Sequence, residues 1–202
     1  LSQPTHTARR LPLLLLAYLA FSLPATLALA PASSQAQGTA VLAASASTEA
    51  AYAAALATFN RALAGDDAAL DSAASQFQAL QAADPIQPAF RVFLGSATAM
   101  KARTTLLPWK KMGHADDGLA QIDKALAQLT PAHDQQTVGG VPVSALVRFT
   151  AASTFVALPA MFNRADRGAR LLDELRTSRA LAASPAAFQA QVQADRKSTR
   201  LN

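Results

Sequence analysis

The sequence predicts an all-α fold of antiparallel helical hairpins, on three observations. Half of the 202 residues are hydrophobic, but the excess is alanine and aromatics make up only 6%. Alanine is the strongest helix former because its side chain has no rotamer freedom to lose. Apolar residues recur at steps of three and four, and no stretch alternates with period two. Glycines and prolines then cut the periodic stretches into lengths that suit paired helices. No sheet is expected.

Taken in order, the chain opens on Arg9 and Arg10, an apolar run from Leu11 to Ala30, and a group of small residues. That order is the order of a secretory signal. Residues 1–36 are therefore expected to direct export, with cleavage after Ala32 or Ala36. The alternative is an uncleaved membrane helix, since about twenty apolar residues can span a bilayer. Pro12 and Pro24 interrupt the run and favour the signal. Residues 37–48 hold mostly alanine, serine and threonine and read as a flexible lead-in.

The helical domain is expected over 49–195. Tyr52, Leu56, Phe59 and Leu63 share one face of a first helix from Thr48 to Ala64, which Gly65 ends. Asp66 or Asp67 caps a second helix, whose face is Leu70, Ala73, Phe77 and Leu80, up to Asp84-Pro85. A third starts at Gln87-Pro88 and turns Phe90, Phe93, Leu94, Ala97 and Met100 inward. An irregular stretch around Trp109 separates it from a fourth helix, Asp116 to Leu129, which Thr130-Pro131 closes. Gly139-Gly140 reads as a turn. The fifth helix, Val143 to Leu158, is apolar on more than one face and should be central. A sixth sets Leu172 and Leu175 against a row of arginines, Arg164, Arg167, Arg170 and Arg176, that reads as a solvated face. Ser184-Pro185 begins a last helix with Phe188 and Val192.

The segment DGLAQIDKAL, residues 117–126, places Gly118, Ile122 and Ala125 as in the second helix of a tetratricopeptide (TPR) unit. Ala73, Phe77 and Pro85 also stand as in such a unit, although Leu80 occupies a position usually small, and Leu94-Gly95 is similar to the Leu-Gly pair of a first helix. The sequence thus resembles the TPR family over about 49–131 and more loosely over 142–176. The resemblance implies an α-solenoid of about three units, whose concave surface holds a protein or peptide. Two departures stand out. The first unit lacks the Leu-Gly pair, and the second carries an insertion around Trp109. A generic helical bundle is the alternative.

The chain carries 18 basic and 13 acidic residues. Four of the basic ones, Arg9, Arg10, Lys197 and Arg200, belong to the ends, which leaves 14 against 13. The high pI is therefore no footprint for nucleic acid or for anionic lipid. The final KSTRLN, residues 197–202, resembles translated adapter sequence and is expected to be a non-native tail. With no cysteine there is no disulfide and no thiolate metal site.

Nothing in the sequence points to an active site, metal centre or cofactor. His114 stands near Asp116 and Asp117, but these aspartates suit a helix start, and His114 and His133 lack zinc spacing. An enzyme built around His114, Asp116 and Asp117 remains the lesser alternative. The distinctive stretch is Lys101 to Met112. It gathers Lys101, Arg103, Trp109, Lys110, Lys111 and Met112, and these are the candidate partner-binding residues. The competing reading packs Trp109 between the third and fourth helices. The expected function is a periplasmic or exported scaffold for a protein or peptide, with a link to envelope assembly or transport resting on analogy of fold. The alternative localisation is an inner-membrane tether through the N-terminal segment.

Overall fold

The computed structural model describes residues 33–199, with side chains over 43–195. The run Leu11–Ala30 lies outside the described residues. Seven helices of more than one turn follow one another as α1 (Ser33–Leu63), α2 (Ala69–Ala83), α3 (Pro88–Thr104), α4 (Pro108–Ala127), α5 (Val143–Ala157), α6 (Ala165–Arg176) and α8 (Ala186–Thr199). A single turn, α7 (Arg179–Ala182), precedes the last. The only strands among the described residues are β1 (Thr137–Val138) and β2 (Val141–Pro142), paired antiparallel about Gly139-Gly140. That ribbon is a small correction to the expectation of no sheet. Both glycines have positive φ, +58° and +75°, which a tight hairpin turn requires. The fold is all-α, built of packed helix pairs.

Three hairpins, α1–α2, α3–α4 and α5–α6, are chained by packing of α2 on α3 and of α3 on α5. The α3–α4 pair is the tightest contact. A Cβ placed on Gly118 would lie 2.5 Å from both the Gly95 carbonyl oxygen and the Ala99 amide nitrogen, so both helices need glycine where they cross. Gly168 plays the same part between α6 and α5, facing Ala152, Phe155 and Val156. Arg91 ties α3 to α4 by donating to Gln128 Oε1 (2.9 Å) and Gln121 Oε1 (3.1 Å).

The core begins with an aromatic cluster where α1, α2 and α3 meet. Phe77 stacks on Phe93 with centroids 4.8 Å apart, and Phe59 stands edge-on to both. Tyr52 closes the cluster against Phe77, Phe90 and Phe93 at 6.0–6.4 Å. These rings come from the apolar faces expected of the first three helices. Beyond them α5 buries Val143, Val147, Ala151 and Phe155, and Phe188 of α8 stands edge-on to Phe149 at 5.3 Å.

Several boundaries differ from expectation, each for a physical reason. α1 starts at Ser33, so residues 37–48 are helical rather than an irregular lead-in. Their alanines favour helix without an apolar face, and side chains 43–51 are exposed. α2 starts at Ala69 and takes no side-chain cap from Asp66 or Asp67. Their carbonyl oxygens instead accept from Ala69 and Leu70 in a turn. α4 starts at Pro108 rather than Asp116, because proline at the first helical position suits a helix start. The stretch around Trp109 is thus helix and not a loop insertion. Asp116 and Asp117 lie two turns inside α4, not at its end. The arginine row is not simply solvated. Arg164 and Arg167 reach Asp123 of α4 at 3.1 and 2.5 Å and lie over the Phe155 ring. α8 continues to Thr199, taking in the first three residues of the KSTRLN segment.

Candidate functional site

Four helices each turn one stripe toward a common concavity. α1 contributes Tyr52, Leu56, Phe59 and Leu63, the face legible from its apolar spacing. α3 contributes Phe93, Ser96, Met100 and Arg103, and α5 contributes Leu146, Phe149, Thr150 and Ser153. α8 completes the wall with Phe188, Gln191 and Asp195. The groove's volume is about 1320 Å³. Small-molecule clefts run to roughly 300–1,000 Å³, so this groove is large enough for a piece of polypeptide.

The polar groups of its floor are turned toward one another. Ser96 Oγ and Thr154 Oγ1 lie 2.7 Å apart between α3 and α5, and Thr154 also donates to the Thr150 carbonyl (2.8 Å). Ser153 donates to Asp195 Oδ2 (2.8 Å), linking floor to wall. What remains toward the groove is mainly apolar. All three methionines that the chain contains, Met100, Met112 and Met161, line it. Methionine's unbranched thioether side chain adapts to irregular apolar surfaces.

The two ends of the groove differ. At one end Gly139 of the β-ribbon sits on the Tyr52 ring so closely that a Cβ would lie 2.7 Å from Cε1. The Gly139 amide donates to Glu49 Oε2 (3.1 Å), which fastens the ribbon to α1. Burial pushes the Tyr52 hydroxyl well above the ordinary phenol range, and the nearby Glu49 carboxylate adds to the effect. At the other end α1 finishes at Leu63, α3 turns into α4, and Met161 follows α5.

The six residues singled out from the sequence fall into three roles. Lys101 and Arg103 are tied to α2 and its lead-in: Lys101 to Asp71 at 2.7 Å, and Arg103 to Asp67 at 3.2 Å and the Ala62 carbonyl at 3.1 Å. The bond and charge of Lys101 hold the Asp71 carboxyl below its usual range, with a smaller contribution from His114. Arg103, Lys111 and Met112 line the groove mouth. Trp109 and Lys110 lie outside it on the first turn of α4, and Trp109 is 69% exposed. Trp109 therefore does not pack α3 onto α4, and the alternative reading of it as core is corrected.

The histidines take local roles. His133 Nδ1 accepts from the Thr130 amide (2.9 Å) and closes a capping box on the short 3₁₀ turn Pro131–Asp134. Asp134 accepts from Ser144 Oγ and lies 4.0 Å from Arg148. His114 is half-buried, whereas Asp116 and Asp117 are exposed. Among the described residues no three His, Cys, Asp or Glu side chains converge as a metal site would need.

Sequence reasoning did not find Phe149, Ser153, Gln191 or Met161 as site residues. A signal existed for the first two: apolar residues on more than one face of the fifth helix leave one side over after packing. No pattern placed Met161, which lies in the 3₁₀ turn Ala160–Phe162. Comparison with family models, with curated proteins and with solved structures finds no match.

Proposed function

We propose that the protein is an exported scaffold, TPR-like in its stacked hairpins, that binds an apolar segment of another protein in the groove. The observation that carries this reading is the groove's lining: about 1320 Å³ bounded by four helical stripes, with every methionine of the chain turned into it. An amphipathic helix laid in such a groove buries its apolar face at residues three and four apart, and methionines accommodate it without a fixed shape. Arg103 and Lys111 at the mouth suit an acidic residue or a helix C-terminus of the bound segment. The role is one of binding, not catalysis. Export by way of Leu11–Ala30 belongs to the same proposal, with retention as a membrane tether as its alternative.

Photo-crosslinking tests the reading. A crosslinking side chain at Gln191 or Met161 should capture a polypeptide from envelope extract, and mass spectrometry should map the attachment to an apolar segment. The same group at Gln78, exposed on α2 and outside the groove, should not. Both groove positions are solvent-accessible, so the substitutions should leave the fold intact. Equal capture from Gln78, or attachment only to polar segments, would sink the groove as the binding surface.

A further inference from the structure

At the α3–α4 corner Leu106, Leu107, Trp109 and Lys110 lie outside the groove, while Lys111 also reaches its mouth. Leu106 is 96% exposed at the apex of the turn, and Trp109 stands exposed beside it on the first turn of α4. Leu107 is also exposed. Lys110 and Lys111 follow directly and make no ion pair among the described residues. No acidic residue occurs between Asp84 and Asp116 in the sequence. Asp67 in the turn before α2 and Asp71 on α2 are already engaged by Arg103 and Lys101. The corner thus presents leucine and tryptophan at a convex tip with uncompensated cations beside them.

We infer that this corner docks on an anionic bilayer surface, making a contact with the membrane that is separate from the N-terminal segment. Tryptophan and leucine at a projecting turn suit the headgroup boundary, where an amphipathic ring meets both apolar and wet surroundings. Lysines beside them gain from the negative potential of anionic lipid and keep their stems along apolar surface. A convex tip needs no pocket in its partner, which a fluid lipid surface satisfies and a folded protein must be built to match. Leu106, Trp109 and Lys110, which carry the inference, lie outside the groove, so it does not depend on what occupies the groove.

Trp109 is the only tryptophan in the chain, so its fluorescence reports this corner alone. The full chain is mixed with vesicles of phosphatidylcholine, with or without phosphatidylglycerol. Emission should move to shorter wavelength, and brominated acyl chains should quench it, on the anionic vesicles only. The shift should shrink in about 1 M salt, where the screening length falls to about 3 Å. Lys110→Gln should weaken the response roughly fivefold, the effect of one surface cation, and Leu106→Ser should reduce quenching by brominated lipid. Both side chains are exposed, so melting temperature should be unchanged in each variant. Attachment through Leu11–Ala30 alone would leave Trp109 in water and its emission unmoved. Unmoved emission on anionic vesicles, or a response that both variants keep in full, overturns the proposal. So does a shift caused by soluble polyglutamate while vesicles cause none, which would assign the corner to an acidic protein.

Discussion

The two ends of the groove are made from opposite materials. At the Tyr52 end, five aromatic rings interlock under the β-ribbon, and Glu49 fastens the ribbon to α1. At the Met112 end, Leu63, Leu106, Trp109 and Met161 stand in solvent, and the ion pairs that hold α3 to α2 are exposed. The sequence gives both ends large apolar residues. Spacing decides their fate: at the closed end they recur on one face of each of three neighbouring helices, so each ring finds a ring. At the open end they fall in a turn, on a first helical turn and in a 3₁₀ segment, where no partner face exists. The contrast divides the molecule into a part that holds the fold and a part left free to bind.

The strongest way to break that contrast is to empty the closed end. Phe77 is fully buried and touches rings from α1 and α3 at once. Phe77→Ala should lower stability by about 3–5 kcal/mol, the usual cost of removing a core aromatic. Urea denaturation followed by circular dichroism measures it. A change below about 1 kcal/mol would mean that the cluster can collapse around the cavity and is not what chains the first two hairpins together.

Alkaline pH probes the same end from another direction. Tyr52 titrates above its ordinary value because its ring is buried and Glu49 is near. Above about pH 10 the unfolded chain gives up this proton while the folded chain keeps it. The unfolded state then binds fewer protons, and stability falls as pH rises. The contribution is intact below the unfolded value and is lost on the way up to the folded one. Relative to Tyr52→Phe, the natural chain should therefore lose up to about 1.4 kcal/mol per pH unit above that point. Every other titrating group is common to the two proteins, so the difference isolates Tyr52. Parallel stability curves from pH 8 to 11 would show that the hydroxyl is not sequestered and that the ribbon does not seal this end.

How much of this could be read from the sequence follows the same line. The inward faces of α1, α2 and α3 were legible because Tyr52, Phe59, Phe77 and Phe93 recur at helical spacing. Gly95 and Gly118 were legible as small residues that admit a neighbouring helix, and the fold sets them against each other. The start of α4 was not legible. Lys110, Lys111 and Gly113 hide the period there, and Pro108, inside the stretch read as irregular, is the first residue of the helix. The groove was less legible still. Its residues come from α1, α3, α5 and α8, and only the packing of successive hairpins aligns those stripes. Nor did spacing reveal that Arg164 and Arg167 would both turn to Asp123, more than forty residues away.

The smallest expected effect sharpens the comparison from the open end. Lys101 bonds to Asp71 at 2.7 Å and lowers its affinity for a proton, yet the Asp71 side chain is 86% exposed. Water and salt screen such a pair, and holding two flexible side chains in one geometry offsets part of the gain. Asp71→Asn should therefore cost no more than about 0.5 kcal/mol at pH 7, and less in about 1 M salt. The direction with pH follows from the lowered value. The carboxylate's contribution is fully present above the ordinary carboxylate range and disappears as pH falls through the folded value. Natural and variant chains should thus converge in acid, in the opposite sense to the Tyr52 comparison, which diverges in base. Urea titrations of both chains at pH 7 and near pH 3 provide the measurement. A cost above about 1 kcal/mol, or a difference unchanged by acid, would make this pair a clamp. The open end would then be held as firmly as the closed one, and the division between a fixed end and a free end would fail.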